Sequence, residues 1–433
     1  MALRILLVNP PVYDFAAYDF WLKPYGLLRV GGMMRGMAEL RLFDFLDRCH
    51  ALVPEDAHRD RDEWGRGRFP AEVAAKPAAF ASVRRRYWRF GLPRAAFRDF
   101  LTQSGPFDFA LIQTGMTYWY QGVIEVLEYL RALSPRTRTV LGGVYATLCP
   151  AHARSLGADL VVEGSQLGPL WRLLGLSPKA DGPALWEAYP ALRTGVLRLT
   201  SGCPLRCTYC SVPKMYTGFS VEPLERVLEE LDYFVSRGVR DAAFYDDALL
   251  YQPAMGIVPF IEAVLARGPR VRLHTPNALH VRFISGELAR LMLRAGVTTF
   301  YLGLESCSAR WQAESGSKVS VEQFRQAVGH LMAAGVPCRN MTAYVVVGHP
   351  RGDAHDVEES LELAGRLGIR AMLADFSPIP GTPDGEACRR RVDMDEPLLH
   401  NKTAFTLMML GDSETNRLKR RCREINRQVR GWT

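Results

Sequence analysis

No apolar run in the chain approaches the ~20 residues that a membrane-spanning helix requires, so no membrane span is expected. The N-terminal Ile5-Leu6-Leu7-Val8 is far too short for the apolar core of a secretory leader. Cysteine is sparse, with nine in 433 residues, and most stand alone: Cys49, Cys149, Cys307, Cys338, Cys388 and Cys422. Scattered single cysteines argue against a disulfide framework and against a zinc site built from two paired motifs. Together these absences predict a reducing, cytoplasmic setting. No internal repeat and no low-complexity segment is present, which leaves an ordinary globular protein of two or three domains. Excess charge is also small. The net +8 gathers in Arg84-Arg85-Arg86-Tyr87-Trp88-Arg89 and in a tail from Arg417 through Arg430. Both runs read as solvated helix faces before they read as nucleic-acid contacts, so nucleic acid is not expected as a partner.

What is present is one cluster of three cysteines. Thr200-Ser201-Gly202-Cys203-Pro204-Leu205-Arg206-Cys207-Thr208-Tyr209-Cys210 has the spacing C-x3-C-x2-C and follows the apolar run Val196–Leu199. Three thiolates from one short loop can hold three irons of a cuboidal 4Fe–4S cluster. With no fourth cysteine in the loop, one iron stays open. The loop resembles the signature of the radical SAM superfamily, including the aromatic Tyr209 before the last cysteine. That resemblance implies that S-adenosylmethionine (SAM) chelates the open iron.

From Val196 onward, strand-like and helix-like segments alternate. The patterning predicts strands at Val196–Thr200, Asp241–Tyr245, Arg270–His274, Thr298–Gly303, Ala343–Val347 and Ala371–Phe376. It predicts amphipathic helices at Leu224–Arg237, Gly286–Arg294 and Val321–Ala334. Six such units make a parallel sheet, expected as a partial (β/α)6 barrel. Chemistry then belongs at the carboxyl ends of the strands. The resemblance assigns Tyr245, Asp246 and Asp247 to the SAM amino group, although the family's usual Gly-Gly-Glu is absent. It assigns Glu305 and Ser306 to the ribose, Lys318 to the SAM carboxylate and Gly348 to the adenine. Asn277, in His274-Thr275-Pro276-Asn277, is a further candidate contact, and His274 and His349 are open between packing and site roles.

The first half reads as a second, doubly wound α/β domain. Predicted strands are Leu3–Val8, Phe107–Thr114, Thr139–Leu141 and Asp159–Val162, each followed by glycine or small polar residues suited to a large ligand at a sheet edge. This segment resembles the cobalamin-binding domain that precedes the barrel in cobalamin-dependent radical SAM proteins. The resemblance places the cofactor contacts at Asn9, Pro10, Thr114, Gly115, Met116, Gly142, Gly143, Val144 and Glu163. The D-x-H-x-x-G motif is missing, and the loop Asn9–Arg29 contains no histidine; His50 and His58 lie elsewhere. The implied cobalamin is base-off, without a histidine beneath cobalt. The aromatic and basic stretch Arg59–Arg98 reads as an insertion, with Tyr87, Trp88 and Arg89 expected to cover a ligand site.

The expected organisation is therefore a cobalamin-binding-like domain (1–175), a linker (176–192), a radical SAM barrel (193–385) and a helical extension (386–433). The resemblance implies that cluster and SAM generate a 5′-deoxyadenosyl radical, with methyl transfer from cobalamin to carbon. The alternatives are a radical cyclase or rearrangement enzyme, a protein that has lost cobalamin, and an RNA-modifying enzyme. The last ranks low, because methylthiotransferases carry a second cysteine trio where this chain has only Cys49 and Cys149. Implied partners are a small-molecule substrate, anionic or aromatic, and an electron donor such as flavodoxin or ferredoxin.

Overall fold

The computed structural model describes residues 3–53, 61–178 and 182–429; His58, Arg59 and Arg430 lie outside the described residues. The chain divides into two compact units, 1–195 with 395–399 and 196–394 with 400–433. No described helix is long and apolar enough to cross a membrane.

The first unit is built on a parallel sheet of β1 (Arg4–Asn9), β2 (Glu39–Asp44), β3 (Phe109–Thr114), β4 (Arg138–Gly143) and β5 (Leu160–Val162). Their spatial order is β5-β4-β3-β1-β2, and every neighbouring pair is parallel. This is the doubly wound order whose direction reverses between β1 and β3, the point where such sheets open a crevice for ligands. Ile5, Leu6, Leu7 and Val8 of β1 are fully buried, as a central strand covered on both faces requires.

The insertion between β2 and β3 carries its own structure. Its Ala71–Val73 and Trp88–Phe90 form a small antiparallel sheet with Val12–Asp14, which follows β1. Tyr87 and Arg89 do not cover a ligand site from outside; both are buried inside this unit. Arg89 Nη2 and Nε donate to the two carboxylate oxygens of Glu125 at 2.6 and 2.8 Å, and the Tyr87 hydroxyl donates to Gln121 at 2.6 Å. A buried guanidinium needs such a partner to offset its lost hydration.

The second unit holds six strands in chain order: β6 (Thr194–Leu197), β7 (Asp241–Phe244), β8 (Arg272–Leu279), β9 (Val297–Glu305), β10 (Met341–Val347) and β11 (Arg370–Asp375). β7 to β11 pair in parallel. Neighbours in chain order, joined by helices, are the arrangement of an open TIM-type barrel. The connecting helices follow their apolar stripes. Leu224–Ser236 buries Val227, Leu228, Leu231 and Phe234, and Val321–Ala333 begins at a capping box between Ser320 and Gln323.

Two strands of the second unit run past their predicted carboxyl ends. β8 continues past His274 to Leu279, so Thr275 and Asn277 lie within it, and β9 continues to Glu305. The helical extension also starts later than residue 386. Only the short turns Pro383–Ala387, Cys388–Arg390 and Pro397–His400 precede the long helix Lys402–Gln428, which is broken at Gly411. Its basic face is used within the unit. Arg417 meets Glu358 at 2.9 Å and Arg421 meets Glu362, both on the helix Ala354–Arg366.

Candidate active site

The three-cysteine loop leaves the carboxyl end of β6 through Thr200 and Ser201, which pair with Ser220 and Val221. Gly202 has φ +75°, and a Cβ there would lie 1.9 Å from the Gly218 carbonyl oxygen. Only glycine fits this turn. Cys203, Cys207 and Cys210 are free and partly exposed, and Cys210 N donates to Cys207 O at 3.1 Å. Burial pushes all three thiols up, Cys210 to about 12. As thiolates they require a cation to offset that desolvation, and three soft sulfur donors at this spacing fit an iron–sulfur cluster. The loop after β9 lies on them: Thr208 N donates to Ser315 O at 3.2 Å, and a Cβ at Gly316 would lie 3.2 Å from Cys207 Cα.

Around this loop the strand ends supply polar groups. Asp246 is buried after β7. Its Oδ1 accepts from Leu199 N at 3.0 Å, Thr200 N at 2.6 Å and Thr200 Oγ1 at 2.8 Å. Its Oδ2 is buried and makes no hydrogen bond among the described residues. Burial outweighs the three donors and raises the carboxyl to about 7. Asp247 is also pushed up by burial, with the Gly202 amide opposing. Tyr245 joins the strand ends through its backbone N, 2.8 Å from Leu197 O. Asn277 Nδ2 donates to Asp246 O at 3.0 Å.

Asp246, Asp247, Thr275, Asn277 and His280 line one cleft. His280 is 7% exposed, and neither ring nitrogen has a hydrogen-bond partner among the described residues. Burial, with Lys318 and Arg282 nearby, lowers its pKa to about 3, so it faces the cleft as a neutral imidazole.

Glu305 ends β9 at φ +63°, a conformation costly for a non-glycine residue. Its Oε1 lies 2.5 Å from Lys318 Nζ. Burial works against the lysine charge, but Glu305 and then Cys207 and Cys210 overcome it and hold Lys318 above its ordinary range. A Cβ at Gly303 would lie 2.9 Å from both partners, so glycine makes the room for this pair. The Ser306 hydroxyl is engaged by Ser308 N at 3.1 Å. Gly348, at φ +78°, packs against Thr406, which a Cβ would meet at 2.5 Å. His274 does not point to the strand ends. It is fully buried between Asp241, at 2.9 Å, and Thr299, at 3.0 Å, a packing and hydrogen-bonding role.

The first unit's candidates gather at the sheet edge where its order reverses. Asn9 and Thr114 end the adjacent strands β1 and β3. Asn9 Nδ2 donates to Asp44 at 2.6 Å, and Asp44 also accepts from the Tyr189 hydroxyl at 2.6 Å. Pro10 follows Asn9 and is buried. Thr114 Oγ1 donates to Gly142 O at 3.0 Å and accepts from Ala146 N at 3.1 Å. Gly143 has φ +112° and lies against Thr114 O, which a Cβ would meet at 2.5 Å. Gly115 O accepts from Tyr145 N at 3.1 Å, Met116 is 46% exposed, and Val144 opens the helix Val144–Leu148. Glu163 is exposed and pairs with Arg154. The edge of β1, β3 and β4 thus offers a bulky apolar side chain, small residues and hydroxyls, which suits a large planar ligand. No histidine stands in the loop after β1.

Sequence patterning did not single out Thr208, Trp311, Arg351 or Asp384, which enclose the cysteine loop, or His280. Thr208 and Asp384 meet across 176 residues, a separation no local pattern reveals. His280 becomes a strand-end residue only because β8 runs on to Leu279.

Residues 197–364 match the family model described as the radical SAM superfamily, so the chain carries a radical SAM domain. Among curated proteins, it is 26% identical over 194 residues to an uncharacterised methyltransferase of Pyrococcus horikoshii, covering 43% of this chain and 40% of that protein. It is 23% identical over 282 residues to the threonylcarbamoyladenosine tRNA methylthiotransferase of Thermotoga maritima, covering 60% and 64%. The chain thus spans between 40% and 64% of the length of these relatives. Its fold resembles that of TsrM from Kitasatospora setae, solved with cobalamin and a 4Fe–4S cluster, at TM-score 0.66 and 15% identity over 93% of this chain and 85% of that one. It also resembles OxsB, a cobalamin-dependent radical enzyme solved with aqua-cobalamin, at TM-score 0.57 and 14% identity over 93% and 56%.

Proposed function

We propose that this radical SAM enzyme methylates an unactivated carbon of a small molecule, using a 4Fe–4S cluster, SAM and cobalamin. The observation that carries the reading is the three-cysteine loop at the end of β6, tied through Leu199 and Thr200 to Asp246, which lines a cleft of acid, amide and imidazole groups on the neighbouring strand ends. Together these cofactors supply reductive cleavage of SAM and a transferable methyl group. Cys203, Cys207 and Cys210 hold the cluster. Asp246 and Asp247 receive the SAM ammonium, because a buried carboxylate oxygen without a donor is a receptor for a cation. Lys318, kept charged by Glu305, faces the SAM carboxylate. Glu305 and Ser306 sit nearest the ribose, Tyr209 and Gly348 nearest the adenine, and Tyr245 and Asn277 brace the strand ends that carry Asp246.

In the first unit, Asn9, Pro10, Thr114, Gly115, Met116, Gly142, Gly143, Val144 and Glu163 form the proposed cobalamin edge. The absence of histidine in Asn9–Arg29 supports base-off binding. In this reading residues 1–175 hold cobalamin, 176–192 link, 193–385 hold cluster and SAM, and 386–433 support the barrel. The substrate is anionic or aromatic, and a flavodoxin or ferredoxin supplies electrons. The same missing histidine favours one second reading, radical rearrangement or oxidation without methyl transfer.

Reconstituted chain incubated with dithionite and SAM, with and without cobalamin, separates the two. Methyl transfer predicts that SAM gives up its methyl group and leaves S-adenosylhomocysteine only in the sample that contains cobalamin. Equal SAM cleavage to 5′-deoxyadenosine in both samples, with no S-adenosylhomocysteine, would remove methyl transfer and leave the second reading.

A further inference from the structure

One closed network ties the cysteine loop to β10 and to the turn after β11. Thr208 lies between Cys207 and Cys210. Its hydroxyl donates to Asp384 Oδ2 at 2.6 Å, and its carbonyl accepts from Asp384 N at 3.1 Å. Arg351 Nη2 reaches both Thr208 Oγ1, at 3.1 Å, and Asp384 Oδ1, at 2.6 Å. His349 Nε2 is 3.0 Å from Asp384 Oδ2. His349 Nδ1 lies 3.2 Å from both Trp311 Nε1 and Arg351 N, which can only donate. Nδ1 is therefore the acceptor and Nε2 carries the proton given to Asp384. Trp311 closes the circuit by stacking on Tyr209, with centroids 5.7 Å apart and planes at 29°. His349, Asp384 and Trp311 are each 3% exposed or less.

The two ends of this network are consecutive residues of the loop, Thr208 and Tyr209. Its buried carboxylate is placed by three donors, a hydroxyl, a guanidinium and an imidazole, and Thr382 caps the helical turn that carries Asp384 by accepting from Gly385 N. Among the described residues Asp384 and His349 make no hydrogen bond to Cys203, Cys207 or Cys210, and the cysteine that Asp384 does meet, Cys388, lies outside the loop; the two therefore act on the loop through Thr208. We infer that Asp384 and His349 are positioning residues that fix the Cys207–Cys210 peptide and thereby set the reduction potential of the cluster it holds. This rests on the reading that the loop binds a 4Fe–4S cluster. Hydrogen bonding and charge outside the ligand shell are what tune such potentials. Asp384 also places a negative charge beside the loop, which opposes reduction.

The test uses the full chain reconstituted with iron and sulfide, measuring iron per chain and titrating the reduced cluster by electron paramagnetic resonance. Asp384→Asn keeps the shape and removes the charge. With iron retained, the ratio of reduced to oxidised cluster at a fixed potential rises about tenfold, which is about 59 mV for one electron. Thr208→Val removes one donor and shifts the same ratio at least threefold. Glu229→Gln, which removes an exposed charge on the helix Leu224–Ser236, leaves it unchanged. Ratios within twofold of wild type in both loop variants overturn the inference. If Asp384→Asn fails to take up iron, Thr208→Val decides by the same criterion. A wild-type chain without iron overturns the cluster reading, and this inference with it.

Discussion

Asp246 gives a stability prediction with a definite sign. Its carboxyl is raised to about 7 in the folded chain by burial, against about 3.9 in an unfolded one. The folded state therefore binds a proton that the unfolded state has released across this interval. Stability from this group is fully present below the unfolded value and is lost as pH rises through about 7. At about 1.4 kcal/mol per unit, the loss between pH 5 and pH 8 is roughly 2 to 3 kcal/mol. Asp246→Asn keeps an Oδ1 acceptor for Leu199 N and Thr200 N and cannot titrate. Urea unfolding of both chains without SAM, at pH 5 and pH 8, isolates the effect as the change in their difference. The wild type should lose roughly 2 to 3 kcal/mol relative to the variant. A difference that stays constant within about 0.5 kcal/mol would refute the reasoning, because the carboxyl would then be ionised throughout.

Three further outcomes follow from the same geometry. Glu305→Ala leaves the Lys318 ammonium buried without its partner and should cost about 3 kcal/mol in urea unfolding; a cost below about 1 kcal/mol would mean that the pair is solvated. Gly202→Ala places a Cβ 1.9 Å from a carbonyl oxygen and should abolish iron uptake. Gly238→Ala, at φ +70° with open space around it, should leave iron at the wild-type level. His280→Phe keeps an aromatic ring but removes both nitrogens from the cleft. SAM affinity, measured by equilibrium dialysis, should fall about three- to tenfold, the equivalent of one hydrogen bond, with iron content unchanged.

Much of the frame was legible because it rests on periodicity. Helices such as Gly286–Arg294 announce themselves by an apolar stripe and a closing glycine, and β1 by four consecutive apolar residues. Strand ends were less legible. Pro276 and the polar Thr275 and Asn277 look like a turn, yet they continue β8, because polar groups at a barrel's carboxyl edge serve a site and not the core. Arg89 sits in an Arg-rich run that reads as exposed, but Glu125, 36 residues away, neutralises it in the core. The circuit through Thr208, Trp311, His349, Arg351 and Asp384 is a property of the folded barrel, since its members follow four different strands. What the sequence carried on its own was the donor set: three thiols at a spacing that a cluster accepts.

The central claim is that one chain holds both an iron–sulfur cluster and cobalamin. Anaerobic reconstitution with iron, sulfide and hydroxocobalamin, followed by desalting, a visible spectrum and metal analysis, tests it most directly. About four iron and one cobalt per chain are expected, with iron lost and cobalt kept in a Cys203→Ala, Cys207→Ala, Cys210→Ala variant. Iron without cobalt would contradict the two-cofactor account and return the first unit to a role without cobalamin; cobalt without iron would contradict the cluster itself.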